Sequence, residues 1–139
     1  MINSKDCFLK FGEPTLSNKC LELWDVPEHL EIGVLPNKVY CNSLLTGPLA
    51  RAFNNIISRN LLPQVLSWDG CFNIRKIKGS SQMSLHSWGM AIDINASGNG
   101  LGQKPAISGE LVQCFLDAGF DWGGNFKRLD GMHFQLAHF

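Results

Sequence analysis

The length and the charge balance of the chain limit what it can be. It has 139 residues, 45% of them hydrophobic, and twelve basic and twelve acidic residues give a net charge of zero. This length predicts a single domain over residues 1–139, and we expect a monomer. The balanced charge favours neither nucleic acid nor an anionic membrane surface as a partner. No apolar stretch reaches the roughly 18 residues of a membrane span, so no stable membrane association is expected.

The N-terminus and the cysteines indicate where the chain folds. Residues 1–14 contain no apolar core of signal-peptide length, and the five cysteines are an odd number without short paired spacing. Free, buried thiols are therefore expected, and a disulfide framework is not. We expect synthesis and folding in a cytoplasm. Cys71 as a catalytic nucleophile is an alternative, but nothing near it in the sequence favours a reactive thiolate.

Prolines interrupt the first part of the chain, where only short elements are expected. Residues 30–34 and 38–45 are predicted to be brief strands or extended arms. A helix is predicted over 48–62, because its apolar residues fall on one stripe and Pro48 suits a first helical turn.

The second half of the chain is expected to supply a sheet and another helix. Residues 65–77 are predicted to form a strand, a turn and a returning strand, and residues 95–105 form a glycine-rich loop. A helix is predicted over 107–119, with Ser108 as its N-cap and Gly119 as its C-terminal stop. The predicted class is α+β, with helices packed on one face of a small, mainly antiparallel sheet.

Two further segments alternate apolar and polar residues with a period of two, as half-buried strands do. The alternation leaves Asp93 on the less apolar face of residues 89–95 and His133 on that face of residues 132–137. If the two strands are neighbours in one sheet, these side chains can converge on one ion. His86 precedes a glycine at which the chain can turn, bringing its imidazole in from the rim.

Two imidazoles and one carboxylate are typical ligands of a catalytic Zn²⁺, which keeps its fourth position for water. Asp130 lies three residues before His133 and is a candidate for the base that takes a proton from that water. Each residue also has an ordinary explanation by itself. A single histidine is more often packed or solvated than bound to a metal, and an aspartate before a glycine often makes a turn. Together the residues predict metal-assisted hydrolysis.

Seven residues in two separate blocks follow one known pattern, Ser-x-His-x-x-Gly-x-Ala-x-Asp and, far downstream, a carboxylate-x-x-His. They are Ser84, His86, Gly89, Ala91, Asp93, Asp130 and His133. Over residues 70–135 the chain thus resembles the M15-type zinc peptidases, the group of D-alanyl-D-alanine carboxypeptidases and phage endopeptidases. The resemblance implies that His86, Asp93 and His133 bind Zn²⁺ and that Asp130 is the catalytic base. It also implies a fold like that of D-Ala-D-Ala peptidases and Hedgehog domains.

Four more residues are candidates for holding a substrate. Arg75 lies in CFNIR, which also matches the family's local pattern, and is expected to stabilise an oxyanion or bind a carboxylate. The alternative is a solvated charge in a basic run. Ser84 is expected either to hydrogen-bond a ligand or substrate or to shape the turn. Trp88 and Trp122 are candidates for the walls of the cleft, although tryptophan is more often partly buried core.

The resemblance implies hydrolysis of bacterial cell-wall peptides. Small members without a signal peptide resemble phage endolysins that cut the stem peptide of peptidoglycan. The L-alanyl–D-glutamate bond is the first expectation and D-alanyl-D-alanine carboxypeptidase activity the second. Such an endolysin is made in the host cytoplasm and reaches the wall after the membrane is permeabilised. The alternative from another class is a zinc-containing binding or structural protein of the same fold, but a structural ion needs no base such as Asp130 beside it.

Overall fold

The computed structural model describes residues 1–139 and consists of three α-helices and two antiparallel sheets. The helices are α1 (Ser4–Phe11), α2 (Thr46–Ser58) and α3 (Gly109–Leu116). The smaller sheet pairs β1 (Leu21–Asp25) with β2 (Lys38–Asn42). The larger sheet has the order β3-β4-β6-β5, formed by β3 (Trp68–Gly70), β4 (Ala91–Ile94), β5 (Phe120–Trp122) and β6 (His133–Leu136). The predicted α+β class is confirmed, and no helix has the length and apolar character to cross a membrane.

Helices α2 and α3 pack on one face of the larger sheet. Phe115 of α3 stacks on Phe134 of β6 with ring centroids 4.2 Å apart, and Phe53 of α2 meets Trp68 of β3 edge-on at 5.8 Å. Phe53, Phe115 and Phe134 belong to a single cluster of 29 buried hydrophobic residues, and Trp68 packs against it. Complete burial of a side chain of this size contributes about 1.5–3 kcal/mol. The core therefore determines which face of the sheet is left for polar side chains.

The register between β4 and β6 decides where the candidate ligands lie. The two strands are antiparallel neighbours, with Ile92 opposite Phe134 and Asp93 opposite His133. Ile92 and Phe134 are fully buried. Because successive side chains of a strand point to opposite faces, Asp93 and His133 lie together on the face away from α3. The predicted alternation of both strands is confirmed.

The segment around α1 lies on that second face. The side-chain amide of Gln135 donates a hydrogen bond of 3.0 Å to the carbonyl oxygen of Ile2. Phe8 of α1 meets Trp88 edge-on, with ring centroids 4.9 Å apart. The prediction of helices on one face therefore describes α2 and α3, whereas the N-terminal segment covers part of the other face.

Three predicted elements differ from the structure. Residues 30–34 form no strand: a short 3-10 helix ends at Leu30, and Gly33 turns the chain with a φ of 64°. The strand-turn-strand predicted over 65–77 is reduced to β3, because Gly70 has a φ of 122° and the register with β4 shifts there. The helix predicted over 48–62 begins two residues earlier and ends at Ser58. The N-cap predicted at Ser108 of α3 is confirmed, since its hydroxyl accepts from the backbone of Leu111.

Candidate metal centre

A short 3-10 helix, Leu85–Trp88, carries His86 to the site. The hydroxyl of Ser84 caps this helix by accepting a hydrogen bond of 3.3 Å from the backbone N–H of His86. The helix ends at Gly89, which has a left-handed φ of 65°. A Cβ atom on Gly89 would lie 2.5 Å from the backbone nitrogen of Asn42, so only glycine fits this close approach to β2. The turn predicted at this glycine is present.

The three candidate ligands converge on one point. Oδ2 of Asp93 lies 3.2 Å from Nε2 of His86, and Oδ1 of Asp93 lies 3.5 Å from Nδ1 of His133. One ligand atom from each residue lies within 4.8 Å of the others. Two ligand atoms on a tetrahedral zinc ion, each about 2.1 Å from the metal, are about 3.4 Å apart. The separations in the protein therefore suit a single ion.

The protonation of His86 is determined by its backbone partner. Its Nδ1 lies 2.6 Å from the carbonyl oxygen of Cys71, which can only accept a hydrogen bond. Nδ1 therefore carries the proton, and Nε2 presents a lone pair. This Nε2 and Oδ1 of Asp93 are buried without any hydrogen-bond partner. Buried polar atoms are nearly always paired, so two unpaired atoms within one cluster fit the ligands of a metal ion.

The charges of the site are coupled. Burial raises the pKa of Asp93, but the interactions of the carboxylate with the neighbouring His133 and His86 imidazoles outweigh burial, and the pKa lies below its usual range. Burial lowers the pKa of His133, but its interaction with Asp93 outweighs this and raises the pKa above its ordinary 6.5. A carboxylate therefore stays ionised between the two imidazoles, as a cation site requires.

Asp130 stands beside this group without belonging to it. Its Oδ2 lies 3.9 Å from Nδ1 of His133, and its side chain is 25% exposed. Burial raises the pKa of this carboxyl above its ordinary value. A carboxylate with a raised pKa, partly open to solvent and next to the ligands, is suited to accept a proton during catalysis.

A cavity of about 410 Å³ opens next to the candidate ligands. His86, His133 and Asp130 line it, together with Ser84 and Arg75. Asp130 is the one acidic residue among those that line it. The basic residues of its lining are Arg75, Lys78, Lys127 and Arg128. The cavity is therefore positively charged, although the whole chain is neutral.

The positions of Arg75 and Ser84 are compatible with both of the roles predicted for each residue. Nη2 of Arg75 is 3.9 Å from Oδ2 of Asp93, and its side chain is 44% exposed. The backbone N–H and carbonyl of Arg75 both bond the hydroxyl of Ser87, so its attachment does not depend on the guanidinium. Ser84 is buried, caps the helix of His86 and also reaches the cavity wall.

The tryptophans do not line this cavity. Trp88 is fully buried, and its indole N–H donates to the carbonyl oxygen of Gly12, so α1 and the residues after it cover the ring. The interpretation of Trp88 as a cleft wall is therefore wrong. Trp122 is partly buried and lines a separate hollow, and its indole N–H donates to Gly131. It supports the turn that carries Asp130 instead of facing the cavity.

Other residues around the site differ from expectation or were missed. The thiol of Cys71 is buried, which raises its pKa well above 9.0, so the thiolate needed for a nucleophile is disfavoured. All five cysteines are free. Gln135, whose Oε1 lies 2.9 Å from Nε2 of His133, was not predicted. The period of two that selected His133 places Gln135 on the same face, so the signal was present.

Comparison with known proteins shows which family part of the chain resembles. Residues 78–136 match the model of a peptidase family described as D-alanyl-D-alanine carboxypeptidase. No curated protein and no solved structure gives a match to the chain. The matched residues include all three candidate ligands and Asp130, while Arg75 and α1 lie outside them. The match supports a peptidase function, and this segment is similar to that peptidase family.

Proposed function

We propose that the chain is a zinc-dependent peptidase that hydrolyses the stem peptide of bacterial peptidoglycan, with the L-alanyl–D-glutamate bond as its target. The observation that carries this proposal is the convergence of His86, Asp93 and His133 beside a cavity that also holds Asp130. These three residues would hold a Zn²⁺ ion, which would supply Lewis-acid polarisation of the scissile carbonyl and a lowered pKa of bound water. Every other chemical role falls to residues of the chain.

Asp130 is the proposed general base. Its carboxyl lies 3.9 Å from His133, and burial raises its pKa, so it can take a proton from the attacking water and return it to the leaving amine. The guanidinium of Arg75 lies beside the same group of residues, 3.9 Å from Oδ2 of Asp93. A planar cation at that position can bind the carbonyl oxygen as negative charge develops on it.

The charge of the cavity favours a substrate that carries carboxylates. Lys78, Lys127 and Arg128 line it, and none of the three forms an ion pair within the chain. Their charges are therefore available to a ligand. D-glutamate has two carboxyl groups, and its linkage into the stem peptide uses only one of them. A free carboxylate next to the scissile bond would pair with this basic lining.

The second candidate is a D-alanyl-D-alanine carboxypeptidase, the activity that the matching family description names. A carboxypeptidase must bind the terminal carboxylate of its substrate, and the same basic lining residues could do so. A binding protein that keeps the metal is the candidate from another class. The position of Asp130 favours an enzyme, because a structural ion requires no base at that distance.

Mass spectrometry of digested peptidoglycan distinguishes these candidates. The endopeptidase should generate new N-terminal D-glutamate and new C-terminal L-alanine, whereas the carboxypeptidase should release free D-alanine. The reaction should stop with a chelator and resume when Zn²⁺ is restored. Asp130→Asn is the matched control, since it should bind the metal and leave the substrate intact. If the metal-loaded, folded wild-type protein produces no new termini, the binding protein becomes the correct description.

We also propose that the enzyme is made in a host cytoplasm and acts on the wall only after the membrane has been permeabilised. Turbidity of Gram-negative cells is the appropriate measurement. Added protein should clear permeabilised cells and leave intact cells unchanged. Clearing of intact cells at the same rate would contradict this proposal.

A further inference from the structure

Gln135 lies between His133 and the N-terminal segment, which we define as residues 1–12. Its Oε1 is 2.9 Å from Nε2 of His133, and its Nε2 donates a hydrogen bond of 3.0 Å to the carbonyl oxygen of Ile2. Gln135 is only 4% exposed, so water does not compete for these bonds. The side chain thus connects a candidate metal ligand to a part of the chain that lies outside the family match.

The carbonyl of Ile2 determines the direction of every hydrogen bond in this chain of contacts. A carbonyl oxygen only accepts, so the amide nitrogen of Gln135 must face Ile2, and its oxygen must face His133. Nε2 of His133 must then carry the proton and donate it to that oxygen. Nδ1 of His133 is left with its lone pair turned toward Asp93, which lies 3.5 Å away. This is the tautomer that a metal at the site requires.

The N-terminal segment is itself held firmly in place. The side chain of Asn3 and the side chain of Asp6 form reciprocal hydrogen bonds with each other's backbone N–H groups at the start of α1. Ile2 is 7% exposed and also lines the cavity. At the other end of the segment, the carbonyl of Gly12 accepts from the indole of Trp88, in the short helix that carries His86. The segment therefore contacts the supports of both candidate imidazole ligands.

We propose that Gln135 is a positioning residue for His133 and that the N-terminal segment is its anchor, so that metal affinity depends on residues far from the metal motif. The inference rests on the proposed metal site but not on peptidase activity. Loss of a hydrogen-bond partner behind a metal-binding histidine typically costs about 10–100-fold in metal affinity.

Two substitutions at Gln135 test its role as the acceptor for His133 separately from its bond to Ile2. Gln135→Leu removes the acceptor for His133 and the donor for Ile2, and should weaken Zn²⁺ binding by about 10–100-fold. Gln135→Glu keeps an acceptor for His133 that needs no orienting partner, and should restore affinity to within about threefold of the wild type. Gln113→Leu is the matched control, because Gln113 bonds Asp117 on the exposed side of α3 and should leave affinity unchanged.

Asn3→Ala tests the anchor. It removes the cap of α1 without touching the ligands or Trp88, and should weaken Zn²⁺ binding of the wild-type chain by about two- to fivefold. In the Gln135→Glu background the same change should have no effect on affinity, because a carboxylate does not need Ile2 to set its orientation. This non-additivity is a readout that general destabilisation would not produce.

Zn²⁺ affinity is measured by competition with a chromophoric chelator on the purified full-length chain, with circular dichroism to check the fold. Wild-type affinity in Gln135→Leu would overturn the role of Gln135. Equal effects of Asn3→Ala in both backgrounds would overturn the anchor, and this comparison remains decisive if Gln135→Leu fails to fold. If the wild-type chain binds no Zn²⁺, the proposed function fails as well. Normal wild-type binding and cleavage with an unaffected Gln135→Leu refutes this inference alone.

Discussion

Nδ1 of His86 lies 2.6 Å from the carbonyl oxygen of Cys71, fifteen residues earlier in the chain. Because the carbonyl only accepts, this bond sets the tautomer of the ring and turns the lone pair of Nε2 toward Asp93. Nε2 is buried and has no hydrogen-bond partner of its own. This bond therefore keeps a candidate ligand in the orientation needed for binding, which reduces the conformational cost of metal binding.

We expect one metal ion per chain, held by His86, Asp93 and His133. His86→Ala and His133→Ala should each abolish stoichiometric binding, because a catalytic zinc site has three protein ligands and none is then spare. Elemental analysis of the purified variants measures this. His29→Ala is the control, since His29 is exposed and not among the clustered ligands. Loss of metal in His29→Ala together with full occupancy in His133→Ala would contradict the assignment.

Removal of the metal should lower the melting temperature. An ion that binds only the folded state at a hundredfold excess over its Kd contributes about 2.7 kcal/mol to the free energy of unfolding. For a domain of this size that corresponds to a shift on the order of 10 °C. Calorimetry with and without a chelator tests it. The His133→Ala variant should melt at the same temperature in both conditions, and a chelator effect of equal size there would show that the stabilising ion binds elsewhere.

The clustering of the candidate ligands could be predicted because the signal for it is local. Alternation within β4 and within β6 placed Asp93 and His133 on the polar faces, and the antiparallel pairing then brought them opposite each other. Helix α1 could not be predicted in this way. It is only eight residues long, and a helix of that length depends on packing, here of Cys7 and Phe8 against the rest of the chain.

Trp88 was misinterpreted for the same reason, because its burial depends on packing against a distant part of the chain. Tryptophan suits both a cleft wall and a core, and the choice between them depends on whether another segment covers the ring. Here that segment is α1, which lies more than seventy residues earlier in the chain. No local pattern around Trp88 reports a contact of such sequence separation. Gln135 differs, because its face was predictable and only its partner Ile2 was not.

Gly123→Ala should damage the site although Gly123 contacts no ligand atom directly. A Cβ atom there would clash with the backbone carbonyl of Asp130 and would lie 3.0 Å from the Cβ atom of His133. Gly123 also accepts the backbone hydrogen bond of Asp130, so the turn cannot move away freely. Overpacking of this kind typically costs about 1–3 kcal/mol of stability. We expect lower stability, weaker metal binding and a large loss of peptidase activity.

The control for this change is Gly109→Ala, at the start of α3. Nothing lies within 4 Å of a Cβ atom at that position, and alanine is the better helix former. Urea denaturation and Zn²⁺ titration of the two variants should therefore give opposite results, with stability and metal affinity retained in Gly109→Ala. Equal behaviour of the two variants would show that the packing of Gly123 against the Asp130 turn is unimportant.

Asp130→Asn should bind the metal and fold normally but lose most of its activity. The amide keeps the shape of the side chain and cannot take a proton, and general-base catalysis typically contributes about 10²–10⁴-fold. The metal should remain because Asp130 is not one of the clustered ligands. Steady-state kinetics on a stem-peptide substrate measures the effect, and Glu110→Gln on exposed α3 is the carboxylate-to-amide control. Wild-type turnover in Asp130→Asn would require a different base.

Arg75→Lys should be a poor substitute for arginine, although it preserves the charge. Only the guanidinium offers a planar pair of donors for an oxyanion or a carboxylate, whereas an ammonium is a compact point charge. Arg75→Ala should reduce kcat/KM by about 10²-fold, as loss of an oxyanion donor commonly does. Arg75→Lys should recover only part of this loss. Thermal stability should stay near that of the wild type, because the backbone of Arg75 is held by Ser87 and its side chain is not buried.

Lys76→Ala is the matched control for Arg75, because Lys76 is the adjacent exposed cation and does not line the cavity. Its kcat/KM should equal that of the wild type at physiological salt, where charges that do not contact the substrate are largely screened. If Arg75→Ala, Arg75→Lys and Lys76→Ala all retain full turnover, Arg75 is a solvated charge like its neighbour. The developing charge on the carbonyl oxygen would then be stabilised by the metal and by another cation of the cavity, of which Lys127 and Arg128 are the next to test.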